Sequence, residues 1–206
     1  MGVMAAERPD GRRTRHAGRR RELLDQATDF VFGRGIAAVS LRPLAAALGV
    51  SHRTLLYHFG TKERLFSEIL REARTRERML IAAQLDGEVG FVELLRGTWD
   101  RITEHLPFFR VYYEVYGLAL QDPDRYAGFL DGVVSDWTDL TADLLEREGL
   151  DQARATSLAT FVWATCRGLL LDLLTTGEGE RVDAAFEELV VAVEAIMKRA
   201  APVERP

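Results

Sequence analysis

Apolar residues recur at the 3.6-residue period of an amphipathic helix from about residue 19 to residue 199, and the two-residue alternation of a half-buried strand is scarce. The chain is therefore predicted to be all-α, with about nine helices. Leu23, Leu24, Ala27, Phe30 and Val31 line a first helix that ends near Gly33 to Gly35. Ser40 precedes a short second helix with Leu41, Leu44, Ala45 and Leu48 on one side, and Gly49 stops it. Ser51 caps a third helix, with Val50 before the cap and Leu55 at its fourth position in the pattern of a hydrophobic staple. Thr61 caps a longer fourth helix that carries Leu65, Phe66, Ile69, Leu70 and Ala73 and runs towards Gln84.

Further helices follow the same rule. Phe91, Leu95, Trp99 and Ile102 mark a fifth, and Pro107 opens a sixth. Asp122-Pro123 reads as the cap and first turn of a seventh, whose stripe runs from Tyr126 through Phe129, Leu130, Val133, Val134, Trp137 and Leu140 to Leu144. An eighth, from about Gln152 to Thr176, is apolar on nearly every side, and a ninth carries Phe186, Leu189, Val190, Val193, Ile196 and Met197. The expected organisation is a basic arm without fixed structure over residues 1–18, a three-helix domain over 19–66, a larger helical domain over 67–200 and a loose tail over 201–206.

Charge divides the chain unevenly. Residues 1–78 hold 16 Lys/Arg against 9 Asp/Glu, and the rest holds 11 against 23, so a net charge of -5 hides a basic third and an acidic remainder. A basic patch attracts phosphate, whereas the acidic part repels a polyanion. No run of 18 uncharged apolar residues occurs, and the first 30 residues hold no signal-peptide core. A cytoplasmic protein without a membrane partner is the expectation. The single cysteine, Cys166, has no partner for an internal disulfide.

Two short helices joined by Gly49-Val50-Ser51 form a helix-turn-helix, in which the second helix enters the major groove. At 100° per residue, Leu55 and Phe59 point into the core and leave Arg53, Thr54 and Tyr57 facing away as the candidates for base contact. Ser51 and His52 sit at the helix N-terminus, where backbone N–H groups favour an anion, and His52 meets either a base or a phosphate. Arg42, His58 and Lys62 flank this face as phosphate contacts or as ordinary solvated charges. Upstream, Arg12, Arg13, Arg15, Arg19, Arg20 and Arg21 either lie along the duplex or form a solvated charge run.

The stretch SLRPLAAALGVSHRTLLYHFGTKERL, within Leu23 to Leu65, resembles the DNA-binding domain of the TetR family of regulators. The resemblance is close over the first third; beyond it only helix number and length agree. It implies a double-stranded DNA operator bound by a homodimer, an effector pocket in the larger domain, and repression as the default outcome. Two departures stand out: Leu56 occupies a position where the family commonly has a phosphate-contacting Tyr, and Arg53 one where it often has Gly.

In the acidic part, Phe108, Phe109, Tyr112, Tyr113 and Tyr116 form one continuous aromatic face of the sixth helix. Such a stripe is more often core than ligand box, yet these tyrosines with Trp99, Trp137 and Trp163 are suited to an apolar cavity with few polar anchors. Phe161, Thr165 and Arg167 of the eighth helix complete the candidate set for a small apolar or aromatic effector. Arg167 and Asp172 interrupt that helix; they pair within the protein or across a dimer, or Arg167 holds an acidic group of the effector. Because the eighth helix is apolar all round, one side is expected against its own subunit and the other, with the ninth helix, against a partner in a four-helix bundle.

Catalysis fares poorly. His16, His52, His58 and His105 lack ligand spacing, no G-x-S-x-G or phosphate-binding glycine loop occurs, and no motif calls for a cofactor or a metal. The competing non-enzymatic reading is a helical adaptor that binds another protein, and an activator rather than a repressor is a variant of the main one.

Overall fold

A computed structural model of the chain describes residues 11–35, 40–84 and 89–200. The expected tail and the first ten residues of the expected arm lie outside them. Among the described residues ten helices follow one another: α1 (Gly11–Arg34), α2 (Leu41–Ala47), α3 (His52–Phe59), α4 (Lys62–Gln84), α5 (Phe91–Glu104), α6 (Leu106–Gln121), α7 (Ala127–Leu130), α8 (Ser135–Arg147), α9 (Gln152–Thr176) and α10 (Gly179–Ala200). Among the described residues there is no strand.

Two differences from the sequence reading have clear causes. First, α1 begins at Gly11, so residues 11–18, expected in the arm, are helical. Arg20 donates to both oxygens of Glu68, lies 4.9 Å over the Phe59 ring and donates to the His58 carbonyl at 3.1 Å. Arg21 reaches Glu72 at 2.9 Å, and Arg76 bonds Asp25 and Asp29 from the other side. These pairs bind α1 to α4, so Arg20 and Arg21 serve as braces within the protein.

Second, the seventh helix is two helices, α7 and α8, separated by a turn at residues 131–134. Gly132 takes φ +68°, where a Cβ would lie 2.7 Å from the Asp136 carboxylate. The break follows from packing. Tyr126, Phe129 and Val133 are buried in one core with α1 to α4 and α6, whereas Ala142, Leu144 and Leu145 are buried in a second core with α5, α9 and α10. Redirecting the chain at Gly132 lets one stripe serve both cores.

The first core also shows how α2 and α3 are held. Leu44, Leu55, Phe59, Leu65, Phe66 and Ile69 share it with Phe108, Val111 and Val115 of α6. Where α1 ends, Gly35 has φ +63°, and a Cβ there would come 2.6 Å from the Pro107 carbonyl oxygen. Only glycine allows the end of α1 to meet the start of α6 this closely.

α9 is long and apolar enough in composition to cross a bilayer. In this fold it packs between α8 and α10, burying Ala155, Leu158, Ala159, Val162, Cys166, Leu170 and Leu173. Its charges are accommodated at the surface and beside a cavity: Asp172 pairs with Arg181 at 2.7 Å, and Arg167 faces the cavity described below.

Candidate nucleic-acid interface and effector cavity

α3 is short, so its cap and its two buried anchors decide its pose. The Ser51 hydroxyl accepts from the Thr54 N–H at 3.0 Å, and Gly60, at φ +81°, ends the helix. Leu55 and Phe59 are buried. Arg53 and Tyr57 are fully outward-facing, with Tyr57 72% exposed. A tyrosine ring left in water on an eight-residue helix is poorly explained by folding alone. Thr54 is half-buried, and its hydroxyl lies 2.9 Å from that of Ser51, so its methyl is the part left for a partner.

The flanking cations divide by environment. Arg42 and His52 are exposed and Lys62 is half-buried; none of the three enters an ion pair among the described residues. His58 is half-buried and its Nδ1 has no hydrogen-bond partner among the described residues. Burial, then the neighbouring charges of His16, Arg19 and Arg20, hold its pKa below the ordinary 6.5. The His16 ring stacks obliquely on His58 at 4.7 Å and meets Tyr57 edge-on at 5.4 Å, so the start of α1 lies beside the end of α3. Thr61 caps α4 by accepting from the Arg64 N–H at 3.2 Å.

Where the two cores meet, a cavity of about 90 Å³ opens among α4, α5, α6, α8 and α9, with Phe32 of α1 and Phe129 of α7 at its edge. Of the expected ligand-binding residues, Phe109, Tyr112, Tyr113, Trp137 and Arg167 line it, as does Trp163, whose ring lies 4.9 Å from that of Trp137. The Trp163 indole N–H donates to Thr141 at 2.7 Å and the Tyr113 hydroxyl to the Arg167 carbonyl at 2.7 Å, so these aromatic walls are fixed. Burial pushes the Tyr113 hydroxyl up to about 12 and raises that of Tyr112 further. Both are neutral donors at physiological pH.

Four expected residues do not line the cavity. Trp99 stacks on Phe186 at 4.7 Å and donates to Asp183 at 3.0 Å, which makes it a joint between α5 and α10. Tyr116 packs edge-on against Phe129 in the first core. Phe161 is exposed on the outer face of α9, and the Thr165 hydroxyl donates to the Phe161 carbonyl at 2.8 Å. Each stands on a helix that borders the cavity and packs away from it.

Sequence reasoning missed Arg74 and Glu77 of α4 and Thr98 and Arg101 of α5, all of which line the cavity. Arg74 Nε lies 2.8 Å from Asp136 Oδ2, an ion pair without hydrogen-bond alignment, and Arg101 donates to Glu77 at 2.7 Å. Charged residues on a surface-type helix look solvated in a sequence, and nothing in their spacing announces the cavity. Cys166 also lines it, and burial pushes its thiol up to about 12. Among the described residues no group of three His, Cys, Asp or Glu side chains is placed to hold a metal.

A helix-turn-helix on the first core and an apolar cavity behind it thus share α4. The profile of the bacterial regulatory proteins of the tetR family matches residues 23–69, which spans the second half of α1, α2, α3 and the start of α4. Over these residues the chain is similar to the TetR family. Among its curated relatives, the HTH-type transcriptional repressor KstR2 of Rhodococcus jostii is 33% identical over 90 residues, covering 42% of this chain and 44% of that protein. The HTH-type transcriptional repressor AcnR of Corynebacterium glutamicum is 29% identical over 131 residues, covering 64% and 63%. The chain therefore spans about half to two thirds of the length of these two relatives. The fold is also that of the multidrug-binding protein EbrR, solved with imidazole, at a TM-score of 0.59 and 24% identity over the whole of both chains.

Proposed function

We propose that this protein is a ligand-responsive TetR-family transcriptional regulator that binds a near-palindromic DNA operator as a homodimer and is released by a small apolar or aromatic effector. One observation carries the reading: α4 supplies Leu65, Phe66 and Ile69 to the core that seats α3, and from the next residue onward Leu70, Ala73, Arg74 and Glu77 form one wall of the cavity. Filling the cavity and repositioning α3 are therefore mechanically one event.

In this reading residues 19–66 recognise DNA and residues 67–200 bind the effector and dimerise. Arg53, Thr54 and Tyr57 contact base edges; Arg42, Ser51, His52, His58 and Lys62 contact phosphate and fix the register. The outward faces of α9 and α10 carry Phe161, Leu171 and Val191, 45%, 50% and 60% exposed, and are the surface on which a second copy packs. The dimer sets its two recognition helices about 34–36 Å apart, one turn of the duplex. An effector that favours a different separation shifts the population away from the DNA-bound form, and DNA must weaken effector binding by the same factor. Repression is supported by the names of KstR2 and AcnR. A cytoplasmic location is consistent with a DNA-binding role.

Gel shifts on the DNA upstream of the protein's own gene, at about 50 and 200 mM salt, test the reading. The expected result is a dimer-sized complex that weakens steeply at the higher salt. A chain that binds no upstream segment, or binds with an affinity indifferent to salt, refutes it and returns the adaptor reading.

A further inference from the structure

Every charged group that faces the cavity has an acidic or basic partner on the protein except one. Arg74 is paired with Asp136 and donates to the Asp131 carbonyl at 2.6 Å, and Arg101 with Glu77 completes a second pair. Arg167 makes no ion pair among the described residues. Its Nε donates to the Trp163 carbonyl at 3.2 Å, one turn earlier on the same helix, and its two Nη groups make no hydrogen bond there. Asp172, the other charge that interrupts α9, is committed to Arg181 through two bonds of 2.9 and 2.7 Å. The Tyr112 hydroxyl, beside Arg167 and largely buried, is likewise without a hydrogen-bond partner among the described residues.

A half-buried guanidinium whose forked end has no acceptor among the described residues is left open to a ligand, and the geometry of that fork matches a carboxylate. The other charges around the cavity cannot satisfy it, since Glu77 and Asp136 are each taken by another arginine. A cation would meet three arginines. The remaining lining is ring and aliphatic surface, from Phe109, Phe129, Trp137 and Leu170 among others. The size is restrictive too: about 90 Å³ is below the roughly 150 Å³ of an apolar cavity that admits benzene, so one ring or a short chain already has to displace a wall.

Taking the cavity as the effector site proposed above, we infer that the effector is a small apolar monoanion, a monocyclic or short-chain carboxylate. Its carboxylate accepts from the Nη groups of Arg167 and from the Tyr112 hydroxyl, and its apolar part lies between the Trp137–Trp163 pair and the phenylalanines of α6 and α7. The anion completes a bond network that the protein leaves open, and the ring or chain provides the bulk that presses on α4.

The test uses the full chain with benzoate, phenylacetate and hexanoate as probes, each beside its neutral primary amide, followed by calorimetry and by quenching of tryptophan fluorescence. Trp137 and Trp163 line the cavity, and Trp99 does not. At least one carboxylate is expected to bind about tenfold or more tighter than its amide. Arg167→Gln is expected to erase that preference, and Arg167→Lys to retain part of it, with both variants dimeric by sedimentation. Amides that bind and quench as well as the acids overturn the anion assignment while leaving the effector site standing. Acids whose preference survives in Arg167→Gln do the same. Absence of binding and quenching by every probe overturns the assignment and the effector site together. An Arg167→Gln protein that falls apart into monomers overturns it by making Arg167 an interface residue.

Discussion

Tyr57 and Leu55 stand two residues apart on α3 and are expected to fail in opposite ways. Leu55 is 0% exposed in the first core, and its truncation to alanine removes three heavy atoms from a packed site, at a cost of about 2–5 kcal/mol in stability. Tyr57 is 72% exposed, so Tyr57→Ala is expected within about 0.5 kcal/mol of the parent. If the ring contacts a base edge, its loss costs about 1–3 kcal/mol of operator affinity, or roughly 5- to 150-fold in Kd. Denaturant unfolding measures the first quantity, and fluorescence anisotropy on the operator at fixed salt measures the second. The signature of a reading helix is a stable Tyr57→Ala protein with weakened operator binding, beside a Leu55→Ala protein destabilised by several kcal/mol. Tyr57→Ala binding its operator as the parent does refutes the placement of that face in the groove. A large stability loss in Tyr57→Ala would instead mean that its edge contacts with His16 and His58 matter to the fold.

Gly35→Ala combines a left-handed backbone with an approach to Pro107 that no Cβ permits, and is expected to lower stability by about 1–2 kcal/mol from the backbone alone, with more from the clash, read from the denaturant midpoint. Gly33→Ala, where a Cβ meets nothing within 4 Å, is the matched control and is expected to be neutral or slightly stabilising. Because the Cys166 thiol is pushed up to about 12, a maleimide at pH 8 is expected to label the native protein far more slowly than the unfolded chain; equal rates would place the thiol in solvent. His58 titrates below 6.5 in the folded protein, so the unfolded chain binds its proton first as pH falls, and the stability due to neutral His58 is present above 6.5 and lost as pH drops through the lower folded value. Denaturant midpoints between pH 7.5 and 5 are expected to fall less in His58→Gln than in the parent, and identical pH profiles would remove His58 from the account.

What the sequence determined by itself is local. The caps at Ser51 and Thr61, the stop at Gly49, and the i, i+4 pairing of Leu55 with Phe59 depend on neighbours within a turn or two, so the helix-turn-helix and its exposed face were legible. The asymmetry of charge needed only counting. Tertiary structure decided what depends on where two helices meet. A long apolar stripe cannot announce that its halves serve different cores, which is why α7 and α8 read as one helix until Gly132 is seen to turn between them. The same limit governs the cavity: helical periodicity gives a side chain its face on one helix, but whether that face meets a neighbour, a void or solvent is set by the other helices. Trp99 and Trp137 are indistinguishable as letters, and packing made one a joint against Phe186 and the other a wall beside an arginine with an open fork.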